Sequence, residues 1–369
     1  MKIYTNINVY DAAYERLHKL YSEEENICIS VSGGKDSTVL LELAIDVCRK
    51  LGRLPLKAKF LDQESEWQGT IDYMRYLTTR PEEVQLYWFQ IPFILTNSTS
   101  LGKDNYLHVW RDGETWLREK ESDTIHENPT KEIRFHKVIE AVDDWIFNNE
   151  RHFSLLGIRA DESRIRSRLM ARAIPAYKDI RWASNNKHGF NMYPIYDWKT
   201  TDIWKYIYEN NIVYNKVYDN MFRAGVHRNN MRVSSLIHET GHYALQKLHE
   251  IEPETYSALS ERIDGVSDYH TGGTGLFIPS KLPVMFKSWI EYRDYLLEKL
   301  IDEEHQSKFK KRYHETDDEQ IARSHVAEII LNDYEGVLGK HARAARDINQ
   351  YAQSRVQSNM GADREGSSE

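Results

Sequence analysis

The sequence predicts an α/β protein in which a parallel β-sheet is covered by helices on both faces and followed by a helical C-terminal extension. Two observations carry this expectation. Between residues 26 and 195, short apolar runs alternate with stretches whose apolar residues recur at helical spacing, and beyond Thr200 the patterns are mostly helical. Strands separated by helices return parallel to one another, and the crossovers cover the sheet.

The first strand is expected at residues 26–30, an apolar run followed by Gly33 and Gly34. In residues 37–51 the apolar positions Val39, Leu40, Leu43, Ala44, Val47 and Leu51 form a helical stripe, ended by Gly52 and Pro55. Residues 56–61 supply a second strand, 66–77 a second helix, and 84–91, rich in aromatic and β-branched residues, a third strand. Residues 97–131 are polar, carry Gly102, Gly113 and Pro129, and are expected to form an insertion or lid rather than a sheet element. A helix at 136–149, a fourth strand at 153–157 and a last strand at 192–195 complete the sheet region. Helices follow at 202–210, 231–251, 286–301 and 317–331, with a Gly- and Pro-rich loop at 265–283.

At 369 residues the chain exceeds the roughly 250–300 at which one core stops growing, so a main domain and a smaller unit are expected. The divisions read from the patterns are a sheet domain at 1–215, a helical unit at 216–335 and a partly disordered tail at 336–369. No apolar run approaches the ~20 residues of a membrane helix, and the N-terminus lacks a signal-peptide pattern, so a soluble, cytoplasmic protein without membrane association is expected. A net charge of -8 argues against a surface coated for nonspecific nucleic-acid binding but permits a local basic cleft. Cys28 and Cys48 lie among apolar neighbours, which favours inert packing.

The chemistry concentrates at Ser32-Gly33-Gly34-Lys35-Asp36-Ser37, between the first strand and its helix. A parallel strand running into this loop and then a helix brings several backbone N–H groups and a helix N-terminus to one point at the carboxyl edge of the sheet, where phosphate is favoured. Gly33 and Gly34 let the backbone approach an anion, Ser32 and Ser37 offer hydroxyls, and Lys35 offers charge. An acid beside such a site must hold Mg²⁺, cap the helix or orient Lys35, and Asp36 is left with those three roles. The plainer alternative is a Ser/Asp helix cap after a glycine turn.

This hexapeptide resembles the PP-loop of the ATP-pyrophosphatase superfamily, whose members cleave ATP between the α and β phosphates; a Walker A loop would need a different glycine spacing. Two further segments narrow the resemblance to the phosphoadenosine phosphosulfate (PAPS) reductase-like family: Gly157-Ile158-Arg159-Ala160-Asp161-Glu162-Ser163 after the fourth strand, and Pro194 to Trp198 with Asp202-Ile203-Trp204. The resemblance implies a five-stranded parallel Rossmann-like sheet of the adenine nucleotide alpha hydrolase type and ATP, or a PAPS-like adenylate, as ligand with Mg²⁺. Residues 232–253 and 286–296 resemble a subgroup that includes the immunoglobulin-binding regulator proteins, which implies a ParB-like protein partner and, through it, nucleic acid.

Around the loop, the residues expected to bind the ligand are Asp62, Gly157, Arg159, Arg164, Arg166 and Arg168, with Lys35, Asp36 and Arg159 as catalytic groups and Asp36 as the Mg²⁺ ligand. Asp62 stands where the family usually has Asp-Thr-Gly, at the edge where an adenosine would lie, while Glu64 and Glu66 read as solvated loop acids. Between Arg159 and Arg181 seven basic residues, Arg172 and Lys178 among them, face three acids, which reads as an anion clamp with Glu162 paired to one of the arginines. Arg223, His227, Arg228 and Arg232 form a further basic group where reductase relatives carry a cysteine segment. No cysteine follows Cys48, so thiol-based reduction is not expected. What remains is adenylyl transfer from ATP to an unknown acceptor with pyrophosphate release; the alternative is a nonenzymatic nucleotide-binding regulator acting with the ParB-like partner.

His238-Glu239-Thr240-Gly241-His242 also fits His-Glu-x-x-His, the pattern of zinc hydrolases. Gly241 weakens a helix there by ~1 kcal/mol, and a third ligand would have to come from a distant acid such as Glu261. A helix face beside the basic cleft is the expected reading.

Overall fold

The computed structural model describes residues 6–96, 106–162, 175–228, 230–237, 245, 247–263, 266, 282–301, 303–313 and 318–330. Asn8 opens the first helix, α1 (Val9–Glu23): its side chain accepts the Asp11 amide at 2.9 Å, and the helix buries Ala13, Leu17, Leu20 and Tyr21. The sequence reading has no element here. β1 (Ile27–Ser30) is apolar on both faces because it lies mid-sheet, between β2 (Leu56–Leu61) and β6 (His152–Leu156), parallel to both. β2 pairs in turn with β3 (Val84–Phe89), again parallel.

The helices follow the periodicity. α2 (Lys35–Leu51), with Gly34 as its N-cap, begins two residues before the predicted start at 37 and closes on Gly52 in the left-handed region. Leu40, Leu43, Ala44 and Val47 are fully buried, and each large apolar side chain removed from water contributes about 1.5–3 kcal/mol. α3 (Gln68–Thr78) and α4 (Phe135–Ile146) fill the predicted positions within three residues at either end.

The sheet has six strands in the order β3-β2-β1-β6-β8-β7. Five are parallel, as predicted; β7 (Ala183–Asn185) is an antiparallel edge strand on β8 (Gly189–Met192). The last parallel strand therefore ends where the sequence reading begins it. Pro194 has no N–H for a ladder, and the Tyr196 and Trp198 amides instead close turns on Tyr193 and Ile195 at 3.1 Å each.

The segment expected to stay outside sheets contains a strand, β5 (Tyr106–Val109), which forms an antiparallel pair with β4 (Phe93–Thr96). Farther on, Ile125 exchanges backbone hydrogen bonds with Trp88 and Gln90 at 2.8 and 2.9 Å, so the insertion covers the β3 edge. The helix expected across 231–251 is absent from its described first part: residues 231–237 are irregular, and among the described residues after them Leu245 and Leu248–Ile251 are helical.

After β8 come α5 (Thr200–Glu209) and α6 (Val217–Arg223), then α7 (Leu248–Ile251) and α8 (Pro253–Arg262), in one compact unit that comprises Met1–Asn97 and Tyr106–Val266. A second unit, Ser98–Asn105 with Ser267–Glu369, contains α9 (Trp289–Leu300), α10 (Glu303–Arg312) and α11 (Glu319–Ile330) around Leu296, Leu297, Phe309, Val326 and Ile329. No helix among the described residues is long and apolar enough to cross a membrane.

Candidate functional site

In the strand order the chain leaves β1 toward β2 and β3 on one side and places β6 on the other, so β1 and β6 flank the point where the order reverses. Ligands of open α/β sheets bind in the crevice beyond the carboxyl ends of such strands. The Ser32–Ser37 loop follows β1 there, and Gly157 follows β6.

The two meet tightly. A Cβ on Gly157 would lie 2.8 Å from the Ser37 nitrogen and 2.9 Å from the Asp36 carbonyl carbon, so only glycine allows this approach. Gly33 has φ +65° and a Cβ there would lie 2.8 Å from the Thr70 methyl, fixing the loop against α3. Ser37 closes the loop on itself: its hydroxyl donates to the Gly34 carbonyl at 3.0 Å and accepts the Ser32 amide at 3.2 Å.

Asp36 is the hub of the charges. Its Oδ2 receives Lys35 Nζ at 2.9 Å and its Oδ1 receives Arg159 Nε at 2.5 Å. Arg159 is only 2% exposed and also has Glu162 at 3.7 Å, the expected partner. Of the roles open to Asp36, orienting Lys35 is the one these contacts are compatible with. A metal role fits poorly, since both oxygens already neutralise cations, and no group of three or more acid, His or Cys side chains suited to a metal occurs among the described residues.

A cavity of about 440 Å³ opens on the loop. Its polar end is Ser32, Gly34, Lys35, Asp36 and Ser37; its apolar walls are Phe60 and Leu61 from β2, Phe135, Ile139 and Val142 from α4, and Leu156 and Ile158. Residues 231–235 and Tyr218 form a further wall. That segment is held to the β2–α3 loop by the Ser65 and Ser235 hydroxyls at 2.6 Å and by the Leu236 amide on the Ser65 carbonyl at 2.8 Å.

Of the residues expected around the ligand, Ser32, Gly34, Lys35, Asp36, Ser37 and Gly157 line the cavity. Arg159 lies behind it and acts on Asp36. Asp62 is fully buried in another network, bonded to Arg118 at 2.5 Å and accepting Trp88 Nε1 and Gln90 Nε2 at 3.0 and 3.1 Å. Its place is to dock the insertion on β2. Glu64, read as solvated, is fully buried too and holds Arg262 at 3.0 Å and the Trp110 amide at 2.8 Å. Arg164, Arg166, Arg168 and Arg172 of the expected clamp lie outside the described residues, as does the whole His238–His242 pattern. Lys178 does not join a clamp; it pairs with Glu23 and Glu24 at 2.8 and 3.0 Å.

Glu66 is the second acid misread as solvated: it is 4% exposed and lines the cavity. Burial pushes its carboxyl up to about 8, with Asp62 adding to the shift. A carboxyl that keeps its proton when folded but releases it near the ordinary 4.5 when unfolded stabilises the fold fully below that pH, and the contribution is lost as pH rises toward 8. Glu66→Gln is therefore expected to flatten the fall in melting temperature between those two pH values and to raise stability over wild type at the upper one; a slope unchanged in the variant would remove Glu66 as its source.

Sequence reasoning missed Tyr218, Val233 and a buried ion pair. Lys59 of β2, 4% exposed, forms an ion pair with Asp143 of α4, 2% exposed, which also accepts the Ser154 hydroxyl. Lys59 Nζ donates in addition to the Ile139 carbonyl at 3.2 Å. The signal for it is present: Lys57 and Lys59 recur at period two in a strand covered on both faces, where a charge requires a partner. Both thiols are buried as expected; burial raises Cys28 and pushes Cys48 up to about 11, which leaves them unreactive.

The phosphoadenosine phosphosulfate reductase domain profile matches residues 26–224, more than half of the chain. The chain belongs to the PAPS reductase domain family. It is 29% identical over 276 residues to the uncharacterized protein YbdN of Escherichia coli (strain K12), covering 72% of this chain and 68% of that one. It is 26% identical over 196 residues to the uncharacterized protein MJ0973 of Methanocaldococcus jannaschii, covering 52% of this chain but only 38% of that relative's length. Among solved structures, the PAPS reductase from Candida auris in its phosphate complex superimposes with a TM-score of 0.36 at 15% identity, over 56% of this chain and 84% of that one.

Proposed function

We propose that this PAPS reductase-family chain binds an adenine nucleotide in the cavity and cleaves ATP between the α and β phosphates, transferring AMP to an acceptor and releasing pyrophosphate. The observation that carries the reading is the union, in one cavity, of a glycine loop at a helix N-terminus with Lys35 and an apolar slot of Phe60, Phe135, Ile139 and Val142. The slot suits a base and the loop suits its phosphates. An acceptor oxygen or nitrogen attacks the α phosphorus as the bond to the β-phosphate oxygen breaks, and the electron pair leaves on pyrophosphate. Lys35, aimed by Asp36 and Arg159, stabilises that developing charge. Mg²⁺ would accompany the nucleotide's own phosphates.

Reduction by a thiol of this chain finds no support, because both cysteines are packed in the core, on β1 and α2. The test is pyrophosphate release from ATP and Mg²⁺ with candidate acceptors. Lys35→Ala is expected to lower the rate by about 10²–10³, as for loss of one preorganised charge donor, and Asp36→Ala to lower it through misdirection of Lys35. Undiminished release in both variants, or release of γ-phosphate instead, overturns the reading.

A further inference from the structure

Three acids follow β2 at alternate positions, Asp62, Glu64 and Glu66, and all three are buried. Two have an arginine: Asp62 holds Arg118 and Glu64 holds Arg262. Glu66 forms no ion pair among the described residues. Its Oε1 receives only the Gln63 main-chain and side-chain amides, at 3.4 and 3.3 Å, and its Oε2 makes no hydrogen bond among the described residues. This carboxyl nevertheless faces the cavity while only 4% exposed. Burying an acid without a counter-ion costs stability that packing does not return.

The carboxyl lies beside the phosphate loop. The segment that walls the cavity seats Val233 on Gly34, where a glycine Cβ would lie 3.4 Å from the valine methyl, and Ser235 on Ser65, the neighbour of Glu66, at 2.6 Å. Those two seats are two residues apart, and two residues span at most about 7 Å. The charges nearest Glu66 are Asp62 on its own turn and Arg118 of the insertion, which Asp62 already holds. Across the cavity stand Lys35 with Asp36, Lys59 with Asp143, Glu162 and Arg232. Burial, with Asp62 adding to it, brings the Glu66 carboxyl to about 8, close enough to neutrality for a side chain both to take and to release a proton.

We propose that Glu66 is the base that takes the proton from the acceptor, and that the acceptor is therefore an alcohol or an amine rather than an oxyanion. This rests on the adenylyl transfer of the reading above. The lone pair of the acceptor's O–H or N–H group attacks the α phosphorus, and the bond to the β-phosphate oxygen breaks with its electron pair going to pyrophosphate. The acceptor's proton passes to the Glu66 carboxylate and from there to solvent. A carboxylate or sulfate acceptor has no proton to lose, and the ionised Glu66 repels it.

ATP labelled at the α phosphorus tests it, with Mg²⁺ in water alone, with glycerol and ethanolamine as alcohol and amine probes, and with acetate and sulfate as oxyanion probes. AMP transfer is expected to water, glycerol or ethanolamine. Because kcat/KM for ATP follows the groups of the free protein, it is expected to rise with pH and level off near 8. Glu66→Gln is expected to lower it about 10²–10⁴-fold and to abolish the rising limb, while Glu66→Asp keeps the limb with a smaller loss. ATP affinity, measured by calorimetry well below that pH, is expected to stay equal in Glu66→Gln, since glutamine copies the protonated carboxyl. A rate and pH profile unchanged in Glu66→Gln, transfer confined to acetate or sulfate, or a loss of affinity as large as the loss of rate overturns Glu66 as the base and leaves the nucleotide cavity standing. Wild type that binds ATP yet transfers AMP to neither water nor any probe also overturns the base. Wild type that does not bind ATP overturns the reading above as well.

Discussion

Replacing Asp143 with alanine is expected to cost about 3–5 kcal/mol of folding stability, because it leaves the Lys59 ammonium buried without its counter-ion. Both side chains are nearly inaccessible, so water cannot take the place of the lost carboxylate, and the Ser154 hydroxyl loses its acceptor in the same step. The pair as a whole is another matter, since two charges moved out of water give back much of what their attraction gains. The double variant Lys59→Met/Asp143→Leu should therefore fold with a stability close to wild type. Urea unfolding checks both, with the midpoint moving and the slope constant. A loss below about 1 kcal/mol in Asp143→Ala would contradict the buried pair.

The largest functional effect is expected from a single methyl group at Gly157. Its Cβ would press on main-chain atoms of Asp36 and Ser37, which cannot rotate away as a side chain tip would, so the first turn of α2 must shift. The main-chain amides of the loop and Lys35 travel with that turn. A displacement near 1 Å costs roughly 100-fold where several groups must converge, and Gly157→Ala is expected to lose ATP affinity on that order while destabilising the fold by about 1–3 kcal/mol. Nucleotide affinity equal to wild type would show that the β6 exit does not shape the loop.

How much of this could be read without coordinates depended on how local each signal was. The loop at Ser32–Ser37 and its flanking strand and helix were legible because each is a short run of residues set by glycine, periodicity and burial, and Gly157 and Arg159 were singled out by their resemblance to a family segment. The last parallel strand was displaced because Tyr193 and Ile195 look like strand residues while Pro194 turns the chain. Glu64, Asp62 and Glu66 were misjudged for a different reason. Glu64 and Glu66 read as solvated and Asp62 as a ligand contact, because what buries them lies distant in sequence: Arg118 and Arg262 are far along the chain from Asp62 and Glu64. Tyr218 and Val233 carry no mark of their own; only the fold brings them to Gly34. The basic group around Arg232 was visible as composition, but which of its members faces the cavity was not.

The measurement that bears most directly on the central claim is equilibrium dialysis of labelled ATP against the full chain, alongside Lys35→Ala and Gly157→Ala. One saturable site per chain, weakened at least about 10-fold by either substitution, is the expected result. No saturable binding, or binding of equal strength in all three proteins, would contradict a nucleotide site built on the Ser32–Ser37 loop.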